Sequence, residues 1–180
     1  MTPRLVLLVA LTLILGSCGP TSHRAAAPPR HAPNPGVTEA APGDLETAEV
    51  ARTVYVPVYP YVYTEDRARP YNLAATLYVR NTDPSAALFV SSVRLHDDGG
   101  KLVRDDLTTP LRLAPLASAE FFVKESDITS GSSACFLVSW SGLSGINEPI
   151  IETVMIGTLS NQGISFTSQG RPILKPAQPH

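Results

Sequence analysis

Over residues 52–174 apolar and polar positions alternate with a period of two, in short runs broken by Pro, Gly, Asn, Asp and Ser. Val54, Val56 and Val58 alternate with Tyr55 and Tyr59, and the run continues through Tyr61, Val62 and Tyr63. Leu73, Ala75, Leu77 and Val79 alternate with Thr76, Tyr78 and Arg80. Phe89, Val93 and Leu95 lead to His96-Asp97-Asp98-Gly99-Gly100, a hairpin-type turn into a further strand at 101–104. Ala117, Ala119, Phe121 and Val123 alternate with Ser118, Glu120 and Lys124; Ala134, Phe136, Val138 and Trp140 share one face of the next run; segments 150–156 and 164–167 follow. A period of two is the mark of strands with one face in a core. No segment keeps an apolar period of 3.6 over three turns, so α/β folds are disfavoured. The pattern predicts an all-β domain over 51–174, an antiparallel immunoglobulin-like β-sandwich of about seven to nine strands. A small open β-barrel is the competing arrangement.

The first 50 residues follow other rules. Residues 1–17 place Arg4 before the apolar run LVLLVALTLIL and end on small residues, the layout of a secretory signal. The run is shorter than the roughly 20 residues a membrane-spanning helix needs. Leu15-Gly16-Ser17-Cys18 resembles the bacterial lipobox. That motif implies cleavage between Ser17 and Cys18 and a lipid on the Cys18 thiol. Acyl chains contribute about 0.8 kcal/mol per buried CH₂, so two or three would hold the protein on a membrane. Residues 18–50 hold Pro20, Pro28, Pro29, Pro33, Pro35 and Pro42 with many alanines, and read as a disordered tether averaging roughly 30 Å end to end. A short helix around residues 45–51 is the one helical element the pattern allows. Residues 175–180 read as a disordered tail.

Composition narrows the chemistry. The chain has 180 residues, 43% hydrophobic and 17% charged, with a net charge of −2. A packed core is possible, and no basic surface for nucleic acid is expected. His96 is the one histidine of the four that falls in the folded part, and Gly142-Leu143-Ser144-Gly145 has the wrong spacing for a hydrolase nucleophile. Phosphate-binding glycine motifs are missing, and Cys135 with His96 is too small a set for zinc. No catalytic residue and no cofactor are therefore expected. Cys135 lies on a run with two apolar faces, which reads as a buried thiol on a central strand.

Two constellations stand out. In an immunoglobulin-like topology the first, third and fifth connections share one end, which would gather Glu65, Asp66, Asp97, Asp98, Glu125 and Asp127. Six carboxylates could hold Ca²⁺, although no Asp-x-Asp-x-Asp-Gly loop is present. Tyr55, Tyr59, Tyr61 and Tyr63 fall on one face of a regular strand, opposite the valines, and Pro57 and Pro60 point to an edge strand. A row of exposed rings would be a binding face for a glycan or a protein. The alternative is that the rings pack under a returning strand near residues 164–166.

The runs TVYVPVYPYVY, LAATLYVRNTDPS, GKLVRDDL, PLRLAPLASAEFFV, EPIIETVMIGT and QGISFTSQGR resemble a bacterial family of secreted lipoproteins known only as a domain of unknown function. The resemblance spans residues 53–173. It implies a secreted single domain, often lipid-anchored, and carries over no activity, cofactor or catalytic residue. The chain departs from the family at Pro60-Tyr61, where a Ser-His pair is common, and at residues 130–135, where a glycine-rich Ala-Asn run is usual.

These readings together give an expectation of a non-catalytic binding or structural module in the periplasm or at the cell surface. It would be held to the outer membrane by lipid on Cys18 and would meet an envelope protein or a glycan. The alternative is an enzyme or Ca²⁺-dependent envelope factor with its site among the carboxylates.

Overall fold

Alternating side chains can satisfy a core on one side and water on the other only if the strands pair into sheets that face each other. The computed structural model of the protein describes residues 34–64, 66–159 and 162–173, and these residues do so. In chain order the strands are β1 (Val37–Glu39), β2 (Val50–Val58), β3 (Tyr61–Tyr63), β4 (Pro70–Asn72) and β5 (Ala74–Arg80). Then come β6 (Leu88–His96), β7 (Leu102–Asp105), β8 (Leu111–Leu113), β9 (Ser118–Val123) and β10 (Ala134–Gly142). Last are β11 (Ile150–Leu159), β12 (Gln162–Gln169) and β13 (Arg171–Ile173). One sheet runs β1-β8-β6-β10-β2-β13, with β7 also pairing β6; the other runs β12-β11-β5-β9; β3 and β4 form a separate hairpin. Every ladder is antiparallel, and neither sheet closes into a barrel. The β-sandwich class expected from the alternation is thus the observed one.

Seven strands have six or more residues, which are the ones the alternation displays: β2, β5, β6, β9, β10, β11 and β12. The other six have three or four residues, too few to register as a period. β1 corrects a boundary for the same reason. Val37 pairs with Leu113, so β structure begins inside the stretch expected to be tether, before residue 51. A 3-10 turn at Asp44–Thr47 follows, and the Glu49 N–H donates to the Gly142 carbonyl at 2.9 Å. The signal peptide over 1–17, the start of the tether and the tail over 175–180 lie outside the described residues.

β10 is central because β2 and β6 pair along its two sides. Val138 sits between Val54 and Val93, and Phe136 between Val56 and Leu95. These side chains meet Leu77, Val79 and Met155 of the facing sheet in one apolar cluster. Phe136 is fully buried, and such a side chain contributes roughly 1.5–3 kcal/mol over leaving it in water. The chain changes sheets at Gly170, between β12 and β13. A Cβ there would come within 2.6 Å of Val54 Cγ1 and 2.8 Å of the Ile151 carbonyl oxygen, so the close crossing needs glycine.

Candidate functional site

The tyrosine segment is not one strand with one face. β2 ends at Val58, the chain turns through Tyr59 and Pro60, and β3 restarts at Tyr61. Val54, Val56 and Val58 are buried as the alternation requires. The turn divides the rings into three settings. Tyr55 lies on the outer face, 40% exposed, beside Cys135. Tyr59 packs inward on Phe166, with ring centroids 5.9 Å apart, which is the packing alternative realised for that ring alone. Tyr61 and Tyr63 meet edge to face at 5.7 Å, and Tyr63 is 44% exposed. The hydrogen bond to Tyr63 raises the Tyr61 hydroxyl above its ordinary pKa, against a smaller opposing bond to Ser132.

The expected edge strand also needs correction. β2 pairs β10 along its whole length, and β13 pairs its other side at Thr53, Val54 and Tyr55. Pro57 is tolerated because β13 does not reach it. Its carbonyl turns instead to the other sheet and accepts a hydrogen bond from Thr153 Oγ1 at 2.6 Å. Cys135, directly across from Pro57 and His96, is buried. Burial pushes its thiol pKa up, while a hydrogen bond with Tyr55 pulls it partly back. A thiol held protonated in this way behaves as a small apolar side chain.

The three connections expected at one end do approach each other in part. The Asp98 N–H donates to the Ser130 carbonyl at 3.1 Å, and the Asp98 carboxylate occupies the space a side chain on Gly131 would need. The carboxylates nevertheless do not converge. Asp97 Oδ1 accepts from Gly99 N at 3.0 Å and Lys101 N at 2.7 Å. Asp66 Oδ1 takes the Ala68 N–H at 2.8 Å, and Asp127 Oδ1 takes the Thr129 hydroxyl at 2.7 Å. Glu125 borders a separate cleft of about 180 Å³ with Tyr71 and Thr158. Glu65 lies outside the described residues. Among the described residues no three His, Cys, Asp or Glu side chains gather as metal ligands. Asp66, Asp97 and Asp127 are spent on shaping their own turns, and that use of Asp leaves the same mark in sequence as a ligand would.

The most polar buried cluster was not singled out by the sequence. Asn81 and Asp83, 2% and 7% exposed, sit in the connection between β5 and β6. Asn81 Nδ2 donates to the carbonyls of Ala86 at 2.8 Å, Ala114 at 3.0 Å and Leu113 at 3.3 Å, and its Oδ1 accepts the Asp83 N–H at 3.0 Å. Asp83 accepts from Ser85 N, Ser85 Oγ, Ala86 N and Asn147 N. Those donors, the Ser85 N–H first, hold its carboxyl well below the usual carboxylate range. The pair ties three connections of the sandwich together through side chains, and is built to hold backbone rather than a ligand. The signal that could have found it is the spacing in Asn81-Thr82-Asp83-Pro84-Ser85, where each Asx side chain captures a backbone N–H two residues on.

The fold and these sites define a class: an antiparallel β-sandwich domain in which Asn81, Asp66, Asp83, Asp97 and Asp127 hold backbone of its own connections. The model of the family described as protein of unknown function (DUF3124) matches residues 51–173, and the chain belongs to that family. No curated protein matches it. Among solved structures it is similar to the protein described as crystal structure of Thermotoga maritima 1070, at 14% identity and a TM-score of 0.38, covering 68% of this chain and 95% of that one. Among the described residues no helix is long and apolar enough to cross a membrane.

Proposed function

We propose that this chain is an exported lipoprotein, anchored through lipid on Cys18, whose β domain is a non-catalytic binding module of the cell envelope. The observation that carries the reading is Leu15-Gly16-Ser17-Cys18 at the end of an eleven-residue apolar run. The first strand begins at Val37, so 18 residues separate it from Cys18. Fully extended, that length spans at most about 60 Å, which keeps the domain near the membrane surface. The outer membrane is the favoured site, because Gly19 stands where an aspartate would mark inner-membrane retention. Exposed rings at Tyr55 and Tyr63 and the open outer faces of both sheets offer binding surface to an envelope protein or a glycan.

Cell fractionation of a Cys18→Ala variant tests the anchor. The natural chain is expected in the membrane fraction, with a mature N-terminal peptide that begins at Cys18 and carries the mass of its acyl chains. The variant is expected as soluble protein or as an uncleaved precursor. A variant that is still processed and membrane-bound refutes the anchor.

A further inference from the structure

The outer face of the larger sheet carries a groove. Leu45 of the 3-10 turn at Asp44–Thr47 and Ile173 of β13 border residues of β2, β10 and β6 around an open cleft of about 660 Å³. This lies within the range of roughly 300–1,000 Å³ usual for small-molecule sites. Its floor is made of hydroxyls from three neighbouring strands. Thr53 and Ser139 share a hydrogen bond of 3.1 Å, and Ser91 donates to the Ser139 carbonyl at 3.3 Å. Ser141, 7% exposed, lines the same groove, and its buried hydroxyl has no hydrogen-bond partner among the described residues. Such an orphan is costly in a folded chain and marks a place where a partner is wanted.

Ser91 reaches the groove through an irregularity. Ser139 pairs with Ser92 and Trp140 with Val90, so Ser91 is the extra residue of a β-bulge. Bulges re-aim side chains and are common beside binding sites. The lips are Leu45 and Ile173, exposed aliphatic side chains that face water at 38% and 42%. Among the described residues one charged residue belongs to the lining, Arg52, whose guanidinium Nη1 donates to the Ala51 carbonyl at 3.1 Å. Among the described residues no carboxylate lines it.

We propose that this groove is a saccharide-binding site, taking a short segment of sugar chain that is neutral or carries one acid group at the Arg52 end. Hydroxyls both donate and accept, as sugar hydroxyls do, and aliphatic lips suit the C–H faces of sugar rings. An added peptide strand has no place on the floor, because β10 is paired on both sides by β2 and β6. A cationic ligand would find no counter-charge there. The site deepens the binding role proposed above and rests on it, independently of the lipid at Cys18.

The test is titration of the full chain with cellotetraose, tetra-N-acetylchitotetraose and 3′-sialyllactose, which carries a single carboxylate, followed by saturation-transfer NMR. Saturable binding of at least one sugar is expected, weakened tenfold or more by Ala51→Trp, which fills the groove. Ser91→Ala, at an exposed position, gives the same direction of change should Ala51→Trp fail to fold. Loss of the acidic sugar alone in Arg52→Gln places its acid group at that end. Binding lost in Tyr63→Ala and kept in Ala51→Trp overturns the groove while sustaining a binding role at the tyrosines. The absence of saturable binding to all three sugars at about 10 mM, a concentration where even millimolar affinities register, overturns the site.

Discussion

Asn81 makes the sharpest test of how this sandwich is held. Replacing it with leucine keeps the volume and removes four hydrogen bonds at once, three to carbonyls and one from the Asp83 N–H. A neutral hydrogen bond nets about 1 kcal/mol, and a buried group left without its partner costs about 1–3 kcal/mol. The Nδ2 group has two hydrogens for three carbonyls, so one of the three bonds is shared and the four do not count fully. A loss of about 3–4 kcal/mol follows. A domain of this size holds some 5–15 kcal/mol in total, so the variant folds but with a clearly lower midpoint. At about 3 °C per kcal/mol the thermal midpoint falls by roughly 10 °C.

Asn81→Asp sharpens the test, because it keeps the shape and replaces the donor with an acceptor. A carboxylate there would face three carbonyl oxygens and lie near the Asp83 carboxylate, so it should cost more than leucine at neutral pH and recover as acid protonates it. Thermal unfolding by circular dichroism and urea titration with unchanged slope are the assays. An Asn81→Leu midpoint within 2 °C of the natural chain, converted at about 3 °C per kcal/mol, would show that the amide bridges nothing of consequence and refute the reasoning.

Acid should weaken the domain through Asp83. Its folded carboxyl lies below the unfolded value of about 3.9, so its contribution is complete above that value and is lost as pH falls toward the folded one. Asp83→Asn should be less stable at pH 7 and show a flatter urea-midpoint profile below about pH 4; parallel profiles for the two chains would contradict this. Tyr59→Ala should lose about 2–3 kcal/mol of stability because its ring packs on Phe166, whereas Tyr63→Ala should change it by less than about 1 kcal/mol. Equal thermal midpoints would remove the distinction between the two rings.

The strands of six residues or more were legible because alternation needs about that length to show itself, and because Val, Phe and Leu repeat on one face of each. β1 was not, since Val37, Thr38 and Glu39 make no pattern among prolines and alanines. What orders them is a long-range ladder to Leu113, Arg112 and Leu111, which no local rule anticipates. Pro57 misled for a related reason. A proline excludes a donor on one side of a strand, and the sequence cannot say whether that side meets solvent or the facing sheet. Here it meets Thr153.

The same distinction decides which polar residues were readable as sites. Asp97 and Asp127 attract attention because acids cluster in short loops, yet each has an oxygen taken by N–H or O–H groups two to four residues away, and Asp98 is tied to the adjoining loop through its backbone N–H. Thr53, Ser91, Ser139 and Ser141 attract none, because single hydroxyls on alternating strands look like an ordinary wet face. What joins them is register. β2 and β10 place Thr53 opposite Ser139, and the bulge in β6 turns Ser91 toward the same floor. A site of this kind is assembled across strands distant in sequence, with no two of its hydroxyl residues adjacent. A search for local motifs finds turns in this chain, and only strand pairing finds the groove.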